Sequence, residues 1–582
     1  MNGDDMNESR VKKRTARVLR AMLLLFLVVL LVLLIIKVYA ANVRLAERLE
    51  TELSQTGTDI SAETPQPTEP PVAHIDFEPH AVEETRPDKH ISVQEISVDG
   101  ELCEEYSSEY DTSFATEAVY SSVEGVIAFR GGSFRQGASY GTAGVRTGSL
   151  EKLWSAKTDG LTDADGSFWA GIGWTGQPHI VRWPDATRRL ITSMYDWARD
   201  TDGLVEVIYP CMDGCIRFYE LDTGKPTREP MDLGVTFKSC GALDPRGYPI
   251  LYLGAGVDSY DKKAHAFIIN LIDNSVMYEF GENESFALRK WNMFDASPLI
   301  CADTDQLVYP GENGVLYVIH LNSSFDVSAG EVSVEPDRIV KWRYNTERNT
   351  DGPYYIGIEA SPAAINGYVF LADNSGHLMC LDLHTMKLVW VQDILDDTDC
   401  TPVIDVEDGH PYIYVSTSVR CGIRDYNSAT VPVWKIDAVT GEAVWQRDYE
   451  CYTSSSLSGG VQSTVAIGKN GLSDMIFVSI GRYPEYETGR LVALSKADGT
   501  ELWHFDTDLY GLTSPLDFYD AYGKGYIIHC SADRNMYLLD GETGNVLNTV
   551  SFGGTIEASP AMYGNKLVMG HRSYEIFCVE VK

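Results

Sequence analysis

The chain lacks the signatures that would mark it as a familiar enzyme. Its 12 histidines are scattered, among them His265, His377, His410 and His571, and no HExxH run occurs. Cysteine is sparse and odd in number, at 11, so at least one thiol has no partner within the chain. Cys211 and Cys215 flank a hairpin tip at Met212-Asp213-Gly214 and could face one another across it, although so short a loop strains a bridge. No second Cys or His pair stands at ligand spacing from them, which leaves zinc without support. Cys380, Cys530 and Cys578 lie in apolar runs and read as small core residues. Positive charge is scarce: 47 Lys and Arg face 84 Asp and Glu, for a net charge of -37. That field disfavours nucleic acid and anionic polymers and favours basic ligands and divalent cations, while an acidic surface also serves solubility alone.

Long apolar runs are absent but for one, Ala21 to Ile36, extended by Val18, Leu19 and Val38 to Ala41 to the ~20 residues a bilayer requires. Arg10, Lys12, Lys13, Arg14, Arg17 and Arg20 precede it, so the positive-inside rule places the N-terminus in the cytoplasm and the rest of the chain outside. Val38-Tyr39-Ala40 also has the small-residue spacing of a signal-peptide cleavage site; the length of the run favours a retained anchor. The stretch that follows is rich in Thr, Glu, Pro and Gln, as in Glu63-Thr64-Pro65-Gln66-Pro67, and cannot bury enough apolar surface to offset its ordering entropy. The organisation expected is therefore a cytoplasmic tail (1–17), a transmembrane helix (18–41), a flexible stalk (42–97), a segment packing on the main domain (98–148) and a repeat domain (149–582).

Two phrases recur in that last region. One is an acid, any residue, Ser or Thr, then Pro: Asp295-Ala296-Ser297-Pro298, Glu359-Ala360-Ser361-Pro362, Asp399-Cys400-Thr401-Pro402 and Glu557-Ala558-Ser559-Pro560. Ala242-Leu243-Asp244-Pro245 shifts the acid by two, and Leu512-Thr513-Ser514-Pro515 lacks it. The other phrase is an apolar strand, a Thr-Gly or Asp-Gly turn, and a second strand often closing on Trp, as in Lys435-Ile436-Asp437-Ala438-Val439-Thr440-Gly441-Glu442-Ala443-Val444-Trp445. Gly and Asp supply the positive-φ turn of a tight hairpin, and the Trp is an apolar plate that only a neighbouring sheet can cover. Sheets packed radially in this way make a β-propeller, here all-β with about eight four-stranded blades.

The phrase resembles the repeat of the pyrroloquinoline quinone (PQQ) dehydrogenase-like propellers, a superfamily that includes the envelope-assembly factor BamB. The resemblance runs from about Ser149 to Lys582, with the blade-docking tryptophans at Trp154, Trp390, Trp445 and Trp503. It implies either a scaffold or a quinone enzyme. A quinone enzyme of this type is expected to carry adjacent cysteines that stack on the quinone, with a Glu, Asn and Asp metal set; no Cys-Cys pair occurs, so PQQ is not expected. A BamB-like lipoprotein is expected to have a Cys after its apolar run, and none follows here.

Strand alternation puts the acid and the Ser or Thr of each tetrapeptide on one face, so Asp295, Glu359, Asp399 and Glu557 are candidates for a carboxylate ring around the channel. Such a ring repels itself unless cations, basic side chains or raised pKa values intervene, so a channel-bound Ca2+ is one reading; the preferred one is architectural, with the acids bonded to backbone amides of the adjacent blade. The Gly-rich run Gly125 to Gly141 fits neither a P-loop nor a dinucleotide fingerprint; its glycines could cradle an anion with Arg130 and Arg135, but a strand and turn closing the propeller is the preferred reading. Trp169 and Trp174 stand among glycines near the first inner strand, and Glu312 in a turn that could reach the channel. The function expected is a membrane-anchored, extracytoplasmic, noncatalytic binding or scaffold module for a protein or envelope polymer, with a PQQ- or metal-dependent oxidoreductase and a BamB-like assembly role as alternatives.

Overall fold

The computed structural model describes residues 75–174, 176–348, 355–420 and 424–582. The expected tail, anchor and most of the stalk lie outside the described residues. Among the described residues no helix is long and apolar enough to cross a membrane.

Eight blade sheets, antiparallel but for one added parallel strand in the last, follow one another along the described chain. Their inner strands are His179–Arg182, Ala242–Leu243, Leu299–Cys301, Ala363–Ile365, Val403–Glu407, Ala466–Ile467, Leu516–Tyr519 and Ala561–Tyr563, which open blades 1 to 8 in that order. The outer strand of blade 8 is Leu150–Lys157, drawn from the front of the domain and paired antiparallel with Glu575–Val581, so the two ends of the repeat region are laced into one sheet.

The repeated Trp-Gly phrase is the joint between blades. Trp390, in the outer strand of blade 4, donates its indole N–H to Ala438 O in the hairpin turn of blade 5, at 3.0 Å. The same bond runs from Trp154 to Leu221 O (2.7 Å), from Trp445 to Lys496 O (2.9 Å) and from Trp503 to Gly541 O (3.1 Å). The turn glycine of the receiving blade lies flat on the indole. A Cβ at Gly441 would sit 2.7 Å from Trp390 ring atoms, and φ there is +76°, so the position demands glycine twice over. A β-bulge next to the Trp recurs in the third-to-fourth strand pairing of blades 4, 5, 6 and 8 and aims the ring at its neighbour.

Blades 2 and 3 lack the full phrase, and blade 3 carries inserted material. A hairpin, Ser323–Asp326 with Glu331–Val334, precedes its fourth strand Arg338–Thr346. Ile91–Val98 then pairs along that strand, and Glu101–Cys103 adds a sixth. Residues 75–97 are thus packed rather than part of a stalk: Ile75 and Phe77 are buried in the core shared by blades 4 and 5, and Thr85 O accepts from Val391 N at 2.8 Å. The alternating burial of Val340, Trp342 and Tyr344 explains why a fifth strand is admitted there, since its backbone edge is all that Ile91–Val98 needs.

Candidate functional site: a plugged channel with an acidic floor

The Gly-rich run closes one end of the channel. Glu124–Val126 pairs with blade 1, Leu243 N of blade 2 donates to Ile127 O (2.7 Å), and Phe129 N reaches Ser297 Oγ of blade 3 (3.3 Å). Ala364 N of blade 4 donates to Ser133 O (2.8 Å) and Ile404 N of blade 5 to Phe134 O (3.1 Å). Lys469 Nζ beyond the inner strand of blade 6 meets Gln136 O (3.1 Å), Ser139 Oγ meets Asp517 O of blade 7 (2.8 Å), and Ser139–Tyr140 pairs with Met562–Tyr563 of blade 8. One short peptide therefore touches all eight blades.

Its two arginines are fully buried, and both donate to backbone carbonyls, with Arg130 Nη2 also 3.9 Å from Asp517 Oδ1. Arg135 donates from Nε to Pro362 O (2.8 Å), from Nη1 to Phe129 O (3.0 Å) and from Nη2 to Ser297 O (2.8 Å) and Pro298 O (3.3 Å). Arg130 Nη1 donates to Pro515 O at 2.8 Å. Burial pulls the Arg135 guanidinium down to about 10. The anion held by the glycines is the chain's own: Glu117 accepts from Gly132 N (2.5 Å) and Phe134 N (3.0 Å), and a Cβ at Gly131 would lie 2.3 Å from its carboxylate. Gly137-Ala138-Ser139-Tyr140-Gly141 also spells the G-x-S-x-G of a nucleophile elbow, but Ser139 sits in a two-residue strand with its hydroxyl on a carbonyl, not at a strand-to-helix turn.

Above the plug, the Ser and Thr of the tetrapeptides link blade to blade. Ser297 N donates to Ser361 Oγ (2.9 Å), Ser361 N to Thr401 Oγ1 (3.1 Å), Thr464 N to Ser514 Oγ (3.0 Å), Ser514 N to Ser559 Oγ (3.1 Å) and Ser559 N to Gly176 O (3.0 Å). This relay is the reason for a hydroxyl at that position: it satisfies a buried N–H that the short inner strands leave over. The relay also corrects the register of blade 2 and supplies that of blade 6, for which the sequence reading has no tetrapeptide. The blade 2 tetrapeptide is Lys238-Ser239-Cys240-Gly241, with Ser297 Oγ on Gly241 O, whereas Asp244 is bound to Arg246 at 2.6 Å. In blade 6 it is Gln462-Ser463-Thr464-Val465. Neither has the Pro that marks the others.

The first position of the tetrapeptides is the next layer, and it is lopsided. Asp295, Glu359 and Asp399 gather on the side of blades 3 to 5 with Glu312 from the Gly311-Glu312-Asn313-Gly314 turn, and Asp397. Asp295, Glu312 and Glu359 each offer an oxygen within 4.8 Å of the others. Lys238 Nζ lies 2.9 Å from Asp295 Oδ2, and Gln462 Nε2 lies 3.2 Å from Asp399 Oδ2. Glu557 stands apart in blade 8, 3.8 Å from Arg572 Nε, so no closed ring of four forms. Burial and then the Glu359 charge push Asp399 up to about 7. Burial, Glu359 and Asp295 raise Glu312 well above the carboxylate range, and burial, Asp399 and Glu359 do the same to Asp397. Burial works against charge on Lys238, yet Asp295, Glu312 and Glu359 outweigh it and hold the ammonium.

Two cavities meet at this layer. A narrow one of about 30 Å³ lies between Phe129 of the plug and Asp295, Glu359 and Asp399. A wide one of about 570 Å³ opens outward from the same carboxylates past Trp174, Trp291, Tyr426 and the Ser454 to Ser458 loop. Lys238 faces the rings of both Trp169 and Trp174 at 5.3 Å, and Arg289 stacks on Trp291 at 3.6 Å. The channel is thus a cup: plugged floor, hydroxyl relay, carboxylates, then an aromatic rim.

The remaining sequence candidates sit elsewhere. His265, His377, His410 and His571 each pair with a carboxylate of their own blade, Glu279, Asp373, Asp437 and Glu575. All ten described cysteines are thiols, Cys211 and Cys215 included. Cys211 N instead donates to Cys215 O at 2.9 Å, an ordinary hairpin closure. A stacked quinone does not fit the cup: no two cysteines are adjacent, and a tricarboxylate would be set against the acidic floor.

Comparison with known proteins places the architecture. A family model described as outer membrane protein assembly factor BamB matches residues 329–476 and 487–578. The beta-alanine-activating enzyme of Danio rerio is 35% identical over 95 residues, 16% of this chain and only 8% of that protein's length. Quinohemoprotein alcohol dehydrogenase ADHIIG from Pseudomonas putida HK5 shares the fold with a TM-score of 0.53 at 11% identity, over 79% of this chain and 80% of that one. BamB from Moraxella catarrhalis aligns at a TM-score of 0.44 and 15% identity, over 74% of this chain and 99% of its own. The chain carries an eight-bladed β-propeller of PQQ-like, BamB-like repeats.

Proposed function

We propose that the protein is a membrane-anchored, extracytoplasmic binding module whose propeller receives, noncatalytically, a protein or cell-envelope ligand bearing cationic groups. The observation that carries this reading is the cup: among the described residues the plug covers one end, and the aromatic and acidic mouth of about 570 Å³ opens at the other. Carboxylates below and indoles above are the two surfaces that hold a desolvated cation, by charge and by ring quadrupole. The acidity of the whole chain steers such a ligand toward the mouth. Apolar residues 18–41 supply the anchor, and the preceding basic residues orient it.

The test is retention of solubilised envelope material on the immobilised full-length chain in detergent, comparing wild type with Trp174→Ala and Trp291→Ala. A component retained by wild type and lost by both variants supports the mouth as the binding surface. Retention indifferent to both variants, or turnover of the retained component, overturns the reading. An oxidoreductase remains the second reading because the fold is shared with a quinohemoprotein dehydrogenase. It requires a cofactor absorption band after incubation with PQQ and Ca2+.

A further inference from the structure

We propose that the cleft between the strands added to blade 3 and the outer hairpin of blade 4 is a docking groove for an extended segment of a partner protein, one that carries an apolar anchor flanked by Lys or Arg. The groove lies away from the channel and does not rest on what the mouth receives.

The groove has a volume of about 630 Å³. On one side the sheet of blade 3 ends at Glu101–Cys103, whose far edge has no strand on it among the described residues. Across from it stand Met386, Lys387 and Leu388, where the outer strand of blade 4, Lys387–Asp393, begins. Leu388 N is met there by the Gln94 side chain at 3.1 Å and not by a strand, while Ser108 N on His384 O at 2.7 Å ties the chain beyond the edge strand back to the turn of blade 4. The two sides are thus joined, with space between them. Ile96, Met386 and Leu388 supply buried apolar surface at the base, and Leu102 is 68% exposed on the edge strand. A large aliphatic side chain on an open edge is what sheets ordinarily avoid, because such an edge recruits another chain. This sheet has already recruited one: Ile91–Val98 is added along Arg338–Thr346.

Charge decides the occupant. The two arginines of that strand are engaged, Arg338 with Asp99 (3.2 Å) and Glu109 (2.7 Å) and Arg343 with Glu95 (2.5 Å). Glu101, Glu104 and Glu105 are exposed and pair with no base among the described residues, and Lys387 is the base on the groove lining. A second copy of this chain would set these carboxylates against their own kind, in a protein of net charge -37. A segment with Lys or Arg beside an apolar anchor satisfies both the carboxylates and Leu102.

The experiment pans the immobilised full-length chain in detergent with a phage-displayed library of random peptides, counter-selecting on Leu102→Ser protein. Sequences that set Lys or Arg beside an apolar anchor are expected to be enriched. A peptide synthesised from that set is expected to bind Leu102→Ser roughly tenfold more weakly or worse, since the apolar contact is lost. Glu104→Lys is expected to weaken it about threefold and Lys387→Glu to tighten it, and the gap between these two is expected to narrow in high salt. Trp174→Ala, at the mouth, is expected to change nothing. Bound peptide is also expected to slow maleimide labelling of Cys103, a half-buried thiol on the groove lining, as read by peptide mapping. No enrichment over the Leu102→Ser protein, or enrichment of acidic or uncharged sequences, overturns the proposal. So does binding that Trp174→Ala abolishes and Leu102→Ser spares, which assigns the peptide to the mouth, or a dimer in sedimentation that Leu102→Ser dissolves, which makes the occupant a second copy.

Discussion

Arg135→Met is the sharpest test of the plug. The substitution keeps most of the side-chain volume and deletes a buried guanidinium with four hydrogen bonds, three of which tie blades 3 and 4 to the peptide while the fourth returns to Phe129 O within it. Bonds from a charged donor each contribute about 1.5 to 3 kcal/mol, and losing them strands four carbonyls. Against this, the mutant no longer buries a charge that lacks a close carboxylate partner. The balance is a loss of about 3 to 5 kcal/mol, in the range for breaking one side of a buried polar pair. Unfolding entropy near 2.1 cal/mol/K per residue, over a unit of ~500 residues, is roughly 1 kcal/mol/K, so the melting temperature should fall by ~4 °C. Differential scanning calorimetry reads this directly. Arg189→Met is the control: that side chain is 57% exposed and paired with Asp202 at 2.7 Å, so its loss should stay within about 0.5 kcal/mol. Equal melting temperatures for Arg135→Met and Arg189→Met would refute the claim that the plug is stapled. Arg135→Lys should recover little, because a single ammonium cannot reproduce the planar fork.

Further outcomes follow from the same packing. His529 is buried, has no hydrogen-bond partner among the described residues, and burial pulls it down to about 4. The native state must keep it neutral while the unfolded chain protonates near 6.5, so its stability contribution is complete above that pH and is lost as pH falls toward 4, by roughly 3 kcal/mol in all. His529→Leu should flatten that acid limb in urea titrations at pH 4 to 7, and an unchanged limb would contradict the burial argument. Gly441→Ala should cost about 2 to 3 kcal/mol, because a left-handed Ala is strained and its Cβ strikes Trp390. Gly409→Ala, at φ +85° with open space around its Cβ, should pay the backbone cost alone, about 1 to 2 kcal/mol; equal denaturation midpoints for the two would mean the indole joint is not tight.

The wheel itself was legible because four of its joints, those made by Trp154, Trp390, Trp445 and Trp503, repeat one phrase. The Trp and the turn Gly belong to different blades but fall in one repeated phrase, so the sequence exposes the contact without exposing the partner. The hydroxyl of the tetrapeptide was legible as a repeat, though its purpose, receiving the preceding blade's N–H, depends on a neighbour dozens of residues away. Register failed where Pro was missing. Lys238 and Gln462 occupy the place of the acid in blades 2 and 6, and with Gly241 and Val465 closing their tetrapeptides nothing local announces it. Glu312 was visible as a turn residue, while Asp397 was hidden beside Asp396 and Asp399 in a run of acids. The anion of the Gly-rich run could not be found locally either, since Glu117 lies outside the run and only the fold brings it back.

The plug comes before the wheel in the chain and lies inside it in space. A contact such as Arg130 with Pro515 spans 385 residues. The hub thus precedes in the chain the spokes that are gathered around it. Contacts of such long range make assembly slow, and they also fix the bore once assembled. A ring gripped from within at every spoke cannot widen or narrow to suit a guest. On the proposed reading, a ligand at this mouth meets a socket of settled diameter, and selection among ligands falls to the loops at its lip.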